Sequence, residues 1–229
     1  MLVVQTNMNL VALSIGSLRS ENMLKKPLFD YIAKEYKNIM QKNGQSKIVI
    51  SELKKLQKEF NIEPEVILDV GIGSGLTCKG YLSYKTKKVY GVEPSKEMIS
   101  NFKCKDKRIK CFCKDFESFD FNKKVNATYL ILTIPFLKDW KNCLKKTAKI
   151  TEDYIIILEQ EIPKKDFKNL GKGFSIKDEI KDNYTPVTVK EITSVLKTHK
   201  FNPIIKYKKE LKDIKSNSVG NLNAVVYSK

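Results

Sequence analysis

The chain has 229 residues, 41% of them hydrophobic, and a net charge of +17. This length predicts one domain, or one domain with a small cap, and the absence of any run of eighteen apolar residues argues against a membrane span. Only Arg19 and Arg108 are arginine, so 41 of the 43 basic residues are lysine (43 − 2). Lysine point charges favour anionic partners at low salt but do not by themselves mark a nucleic-acid groove, where bidentate arginine contacts are the usual reader.

Met1 to Ile15 carries an apolar patch, Leu10 to Leu13 and then Ile15, with no basic region before it. That is the pattern of a frayed or packing N-terminus and not of a signal peptide; Met8 or Met23 is an alternative start. The spacing of Leu28, Ile32, Tyr36 and Ile39 predicts a helix over Leu24 to Met40, with Pro27 in its first turn and Asn43-Gly44 at its end. Ser51 is placed as the cap of the next helix, where Leu53, Leu56 and Phe60 share one side.

Val66-Ile67-Leu68 is the apolar run of a buried strand. Asp69, Gly71, Gly73 and Gly75 follow at once. Glycine tolerates positive φ and has no Cβ, so this turn can wrap tightly and admit a ligand to the backbone. Leu76 to Tyr84 is read as a helix whose free N–H groups face the same crevice. Val89 to Glu93 is a second strand, and its terminal carboxylate lies about 24 residues after Asp69, near the spacing of a ribose-binding acid. Pro94-Ser95 opens a helix with Met98 and Ile99 facing inward. Ile109 to Phe116 is a third strand, so Asp69, Glu93 and Asp115 fall along one rim of a sheet.

Ala127 to Thr133 is the fourth strand, followed by Ile134-Pro135-Phe136. Asp139 to Lys149 is a helix and Tyr154 to Leu158 the fifth strand. Glu159, Gln160 and Glu161 then face the crevice side. A carboxylate there is a general base or a cation-binding group, with solvated loop acids as the alternative. Lys164 to Pro186, with Gly171-Lys172-Gly173, is read as a lid or substrate loop. Its Lys164, Lys165, Lys168 and Lys172 either favour an anionic acceptor or form a solvated charge run. Val189 to Thr198 is the last long helix, with His199 near its C-terminus. Pro203 to Lys209 and Leu222 to Tyr227 are two final strands, with a turn at Asn217 to Gly220. The five cysteines include no C-x-x-C, and with His199 as the one histidine a zinc site is not expected. Free thiols suit a reducing cytoplasm.

Three motifs carry a resemblance. D-V-G-I-G-S-G (Asp69 to Gly75), G-V-E-P-S (Gly91 to Ser95) and K-D-F (Lys114 to Phe116) resemble the cofactor motifs of class I S-adenosylmethionine-dependent methyltransferases. The likeness spans roughly Leu24 to Lys229. It implies an α/β fold with a doubly wound, mostly parallel seven-stranded sheet and a C-terminal antiparallel strand pair. Residues 1–61 would form an N-terminal helical cap on a Rossmann-like domain of residues 62–229. It also implies S-adenosylmethionine as cofactor. Gly71, Gly73 and Gly75 would admit its methionine part and sugar edge, with Asp69 anchoring the loop or the ammonium. Glu93 would accept the ribose hydroxyls and Asp115 the adenine amine, with Phe116 packing on the ring. Met98 and Thr133 complete the expected cofactor set.

F-D-Y-I-A-K-E-Y (Phe29 to Tyr36) resembles a Y-D-x-I-A-x-x-Y helix that covers the cofactor in small-molecule methyltransferases. Tyr31 and Tyr36 would then overlie the cofactor, or else be two amphipathic core tyrosines. Tyr36 and Glu159 are the candidate catalytic groups. Thr133-Ile134-Pro135-Phe136 stands where adenine N-methyltransferases carry N/D-P-P-Y/F/W, but it lacks the amide or carboxylate and the first proline. Base methylation is therefore not supported. The leading expectation is methyl transfer to oxygen or nitrogen of a small molecule, with an anionic acceptor as one option. A nucleic-acid or protein methyltransferase is the alternative that the +17 charge suggests. The G-x-G-x-G spacing argues against a nicotinamide enzyme.

Overall fold

The computed structural model describes residues 26–42, 44–162, 167, 170, 175–212 and 219–229. The apolar runs become seven strands: β1 Val66–Val70, β2 Lys88–Glu93, β3 Ile109–Cys113, β4 Val125–Ile131, β5 Thr151–Glu161, β6 Asn202–Lys212 and β7 Val219–Ser228. They form one sheet in the order β3-β2-β1-β4-β5-β7-β6. β1 to β5 pair in parallel, and β7 runs antiparallel to both β5 and β6. Strand order reverses between β1 and β4, so a crevice opens beyond their carboxyl ends.

The helices are α1 Leu28–Lys42, α2 Gln45–Phe60, α3 Lys96–Ser100, α4 Trp140–Ile150, α5 Lys177–Asp182 and α6 Val189–Lys197. Alternate residues of the central strands feed two cores. Leu68, Leu130, Ile157 and Val225 pack with Leu144 of α4 and Leu196 of α6. Ile67, Tyr129, Ile156 and Val226 pack with Val49, Leu53 and Leu56 of α2. Each such aliphatic side chain contributes about 1.5–3 kcal/mol on burial. Coverage of both faces is why β4 and β5 read as near-continuous apolar runs. α2 therefore shares the core of the sheet, whereas α1 lies across its rim.

Local signals account for most helix ends. Gly44 turns the chain between α1 and α2 at φ 66°. Ser95 caps α3 by accepting from Met98 N, and Asp139 caps α4 by accepting from Asn142 N. Thr188 and Glu191 form a reciprocal capping box on α6. One expectation fails here. Ser51 lies inside α2, because the glycine hinge starts that helix six residues earlier, at Gln45. Phe60, at the other end of α2, is 41% exposed.

The largest departure follows the glycine turn. Instead of a helix over Leu76 to Tyr84, the described chain makes one 3-10 turn, Cys78–Gly80. Gly80 interrupts the run, and Thr77 and Ser83 are weak helix formers. Packing then fixes the turn: a Cβ on Gly80 would stand 2.7 Å from Leu53 Cδ1 and 3.1 Å from Ile50 Cα of α2. The β1–β2 crossover thus presses against α2 and offers no helix N-terminus to the crevice.

Two further readings are adjusted. β3 ends at Cys113, so Asp115 and Phe116 lie beyond the strand. The segment Lys164 to Pro186 is not all loop, since α5 forms within it and buries Ile180. Gly171-Lys172-Gly173, the four lysines named above, Asn217 and Met1 to Lys25 lie outside the described residues. No helix among the described residues is long and apolar enough to cross a membrane.

Candidate active site

The cofactor half is built from backbone. Gly71, Gly73 and Gly75 all have positive φ, at 77°, 56° and 72°. The loop is pinned to β2 by Gly71 N and Ile72 N, which donate to Val92 O at 2.8 and 3.2 Å. Glu93 completes the tie. Its Oε2 accepts from Gly73 N at 3.1 Å and its Oε1 from Ser95 N at 2.9 Å. Burial raises the Glu93 carboxyl to about 7, against the lowering by these two N–H groups, and the Asp30 charge raises it further. A Cβ on Gly71 would stand 2.5 Å from Thr133 Oγ1, and one on Gly75 2.6 Å from Phe102. At Gly73 the nearest atom would be Gly71 O at 4.0 Å, so that glycine alone of the three faces open space.

Asp69 sits beneath the loop, fully buried. Its Oδ2 accepts from Tyr81 Oη at 2.6 Å, and its Oδ1 has no partner among the described residues. Burial lifts its pKa to about 7, the Tyr81 bond lowers it, and Glu93 adds to the rise.

The other half of the candidate site lies beyond β4 and β5. A cavity of about 130 Å³ is walled by Phe29, Ile32 and Tyr36 of α1, by Pro135 and Phe136 after β4, and by Ile180 and Tyr184. Phe136 makes edge contacts with Phe29 (centroids 5.1 Å apart) and with Tyr184 (5.5 Å). Glu159 also lines the cavity and is 7% exposed. Its Oε1 accepts from both Thr133 N and Ile134 N, at 2.8 and 2.9 Å. Burial raises its pKa to about 8 against those two bonds. This overturns the solvated-loop reading of Glu159: β5 runs three residues past Leu158 and carries the side chain inward. Leu132, on the same wall, holds φ 56°. A left-handed non-glycine residue costs about 1–2 kcal/mol, offset here by Leu132 N donating to Leu158 O at 2.8 Å.

α1 joins the halves. Asp30 Oδ1 accepts from Ser95 Oγ at 2.6 Å and Glu97 N at 3.0 Å on the cofactor side. Glu35 Oε2 accepts from Ser175 N at 3.0 Å on the other. Tyr36 faces the cavity, its pKa pushed up to about 12 by burial and then by the Glu93 charge. Tyr31 points elsewhere and is 41% exposed.

The structure therefore brings together Asp69, Gly71, Gly73, Gly75, Glu93, Thr133, Tyr36 and Glu159. Asp115 is exposed on the same rim, its Oδ1 accepting from Glu117 N at 3.0 Å. Met98 and Phe116 are 1% and 2% exposed. Phe116 packs in the core with Lys146 Nζ 4.6 Å from its ring centroid, so it presents little of its face to a ligand. The β3 strand stops early and lets that ring turn inward. Sequence reasoning missed Asp30 as the tie to Ser95, Tyr81 as the partner of Asp69, and the aromatic wall of Phe29 and Tyr184. Only Asp30 carried a signal, since it sits in the quoted F-D-Y-I-A-K-E-Y stretch.

A reversed-order parallel sheet with a glycine turn and a buried acid on its rim is a Rossmann-like fold. Without a helix N-terminus behind the turn, the loop lacks the dipole that holds a pyrophosphate. A model of the methyltransferase domain matches residues 68–153. The fold is shared with the methyltransferase solved in complex with the Haloferax volcanii Trm112 activator, at TM-score 0.63 and 14% identity over 86% of this chain and 95% of that one. It is shared with an S-adenosylmethionine-dependent methyltransferase of Thermotoga maritima, at TM-score 0.62 and 16% identity over 88% and 97%. It is shared too with the magnesium protoporphyrin IX methyltransferase ChlM of Synechocystis PCC 6803, solved with bound S-adenosylhomocysteine, at TM-score 0.56 and 15% identity over 80% and 83%. Residues 68–153 thus match a methyltransferase domain, and the fold around them is the one shared by these solved S-adenosylmethionine-dependent methyltransferases.

Proposed function

We propose that the protein methylates a nitrogen or oxygen of a small molecule seated in the cavity beside Glu159. The observation that carries this is the shared wall. Thr133 abuts Gly71 on the cofactor side, while its N–H is held by Glu159 on the acceptor side. α1 and Tyr184 roof the space, which suits a small acceptor better than an open groove would.

S-adenosylmethionine supplies a methyl group already activated on a sulfonium, so the protein's work is alignment and exclusion of water. Gly73 gives its methionine part and sugar edge access to the backbone, between the filled positions Gly71 and Gly75. Glu93 keeps lone pairs for the ribose hydroxyls, and Asp115 accepts the adenine amine. Asp69 Oδ1, buried without a partner, suits the ammonium or a water bound to it. Met98 and Phe116 support this wall from within the core, and Thr133 separates cofactor from acceptor. Tyr36 covers the junction, with α1 as the cap. All five cysteines are free, which suits a cytoplasmic location.

An anionic acceptor would draw on Lys164, Lys165, Lys168 and Lys172, which lie outside the described residues. None of the described residues lining the cavity is lysine or arginine. The +17 charge supports a second reading, a nucleic-acid methyltransferase. Incubation of the protein with methyl-labelled S-adenosylmethionine and a size-fractionated extract separates the two. We expect label in the small-molecule fraction; label confined to nucleic acid or protein overturns the proposal.

A further inference from the structure

The chemistry of the cavity narrows the acceptor. Glu159 is nine-tenths buried, and both backbone bonds fall on one oxygen, Oε1. Oε2 accepts no hydrogen bond from a described residue, although the side chain lines the cavity. The rest of the wall is mostly apolar, with the ring of Phe136 in edge contact with those of Phe29 and Tyr184. A bare carboxylate oxygen in such a place is costly unless a ligand partners it. The ligand group that satisfies both features is a cation: it gives Oε2 a charge-assisted hydrogen bond and attracts the aromatic faces.

We propose that the acceptor is a small apolar amine, which enters as its ammonium ion with nitrogen on Glu159 Oε2 and its body among Phe29, Phe136 and Tyr184. This rests on the reading that the cavity is the acceptor site. Glu159 then takes one proton from the nitrogen: an N–H bond breaks, an O–H bond forms, and the lone pair is freed toward the cofactor side. That lone pair takes the methyl from S-adenosylmethionine, whose carbon–sulfur electrons stay on sulfur. Nitrogen becomes cationic again, and the proton on Glu159 passes to water as product leaves.

Among the described residues lining the cavity, the titratable groups facing Glu159 are the phenols of Tyr36, from α1, and Tyr184, beyond α5. Both are pushed up by burial, and Tyr184 further by Glu159 itself, so both stay neutral while Glu159 titrates. No described lysine lines the cavity, and exposed charges more than about 8 Å apart are screened at physiological salt.

Calorimetry on the protein saturated with S-adenosylhomocysteine tests this, with benzylamine, benzyl alcohol and benzoate as probes of one shape. Benzylamine should bind at least tenfold more tightly than either partner. Its affinity should rise about tenfold per pH unit below about pH 8, because the bound form needs Glu159 ionised. Glu159→Gln should cut benzylamine binding at least tenfold and flatten that pH dependence. Its S-adenosylhomocysteine affinity should hold within about twofold, since an amide oxygen still accepts from Thr133 and Ile134. Equal binding of alcohol and amine, or preference for benzoate, overturns the amine while leaving the cavity as the acceptor site. Binding of none of the three overturns both.

Discussion

Glu93 and Glu159 stand at the carboxyl ends of β2 and β5, one in each half of the site, and both are almost fully buried. Each accepts two backbone N–H bonds. Glu93 spreads them over both oxygens, tying the glycine loop to the α3 cap. Glu159 stacks both on Oε1 and leaves Oε2 toward the cavity. The difference separates a carboxylate whose geometry is set by the loop it organises from one kept partly unsatisfied. The first suits a ligand of constant shape. The second suits a ligand that brings its own counter-charge.

The sharpest break between cofactor geometry and fold comes from the glycines. Gly73→Val should abolish S-adenosylhomocysteine binding, because the added side chain projects into open space beside the loop, with some strain at φ 56°. Gly71→Ala should act on the fold instead. Its Cβ would meet Thr133 at 2.5 Å, which costs on the order of 1–3 kcal/mol in stability. Thermal melting beside calorimetry separates them: binding lost at near-wild-type melting for Gly73→Val, and lowered melting for Gly71→Ala. A folded Gly73→Val that binds normally would show that the turn is merely structural.

Glu93→Ala is the next largest. Removing paired, charge-assisted hydrogen bonds costs on the order of 2–3 kcal/mol of cofactor affinity. Unchanged S-adenosylhomocysteine affinity by calorimetry would remove Glu93 from the site and leave Glu159 as the one functional carboxylate of the pair.

The two carboxylates also differ in how far the sequence exposed them. Glu93 ends an apolar strand at a fixed distance from a glycine run, and both features are local. The sheet was legible for the same reason: strand periodicity and the β4 and β5 apolar runs are properties of short windows. Glu159 was visible only as one of three polar residues after an apolar run. Its burial depends on β5 continuing to Glu161 beside β7, a long-range pairing. The helix expected over Leu76 to Tyr84 failed because Gly80 interrupts the run and packs against α2, a contact that a short window does not show. Phe116 was read as a ligand platform because a K-D-F match says nothing about which way a ring turns once β3 has ended.

The pH dependence of Glu159 bears most directly on the contrast. Burial lifts Glu159 from its ordinary 4.5 to about 8. Below about pH 4.5 the carboxyl is protonated in both folded and unfolded chains and contributes no pH dependence. Between about 4.5 and 8 the unfolded chain releases the proton while the folded chain keeps it, so stability falls as pH rises. Above about 8 both forms are ionised and the penalty is complete. Glu159→Gln has no such proton, yet keeps an oxygen for Thr133 and Ile134. Its melting temperature should therefore match wild type near pH 4.5 and exceed it progressively up to about pH 8, at roughly 2–4 °C per kcal/mol for a domain of this size. Asp69 and Glu93, both raised to about 7, titrate in wild type and variant alike and cancel in the comparison. A gap that does not change with pH, or a wild type more stable at pH 8, would mean that a cation already holds Glu159 in the free protein. The two carboxylates would then be alike, and the cavity would have no need of a charged ligand.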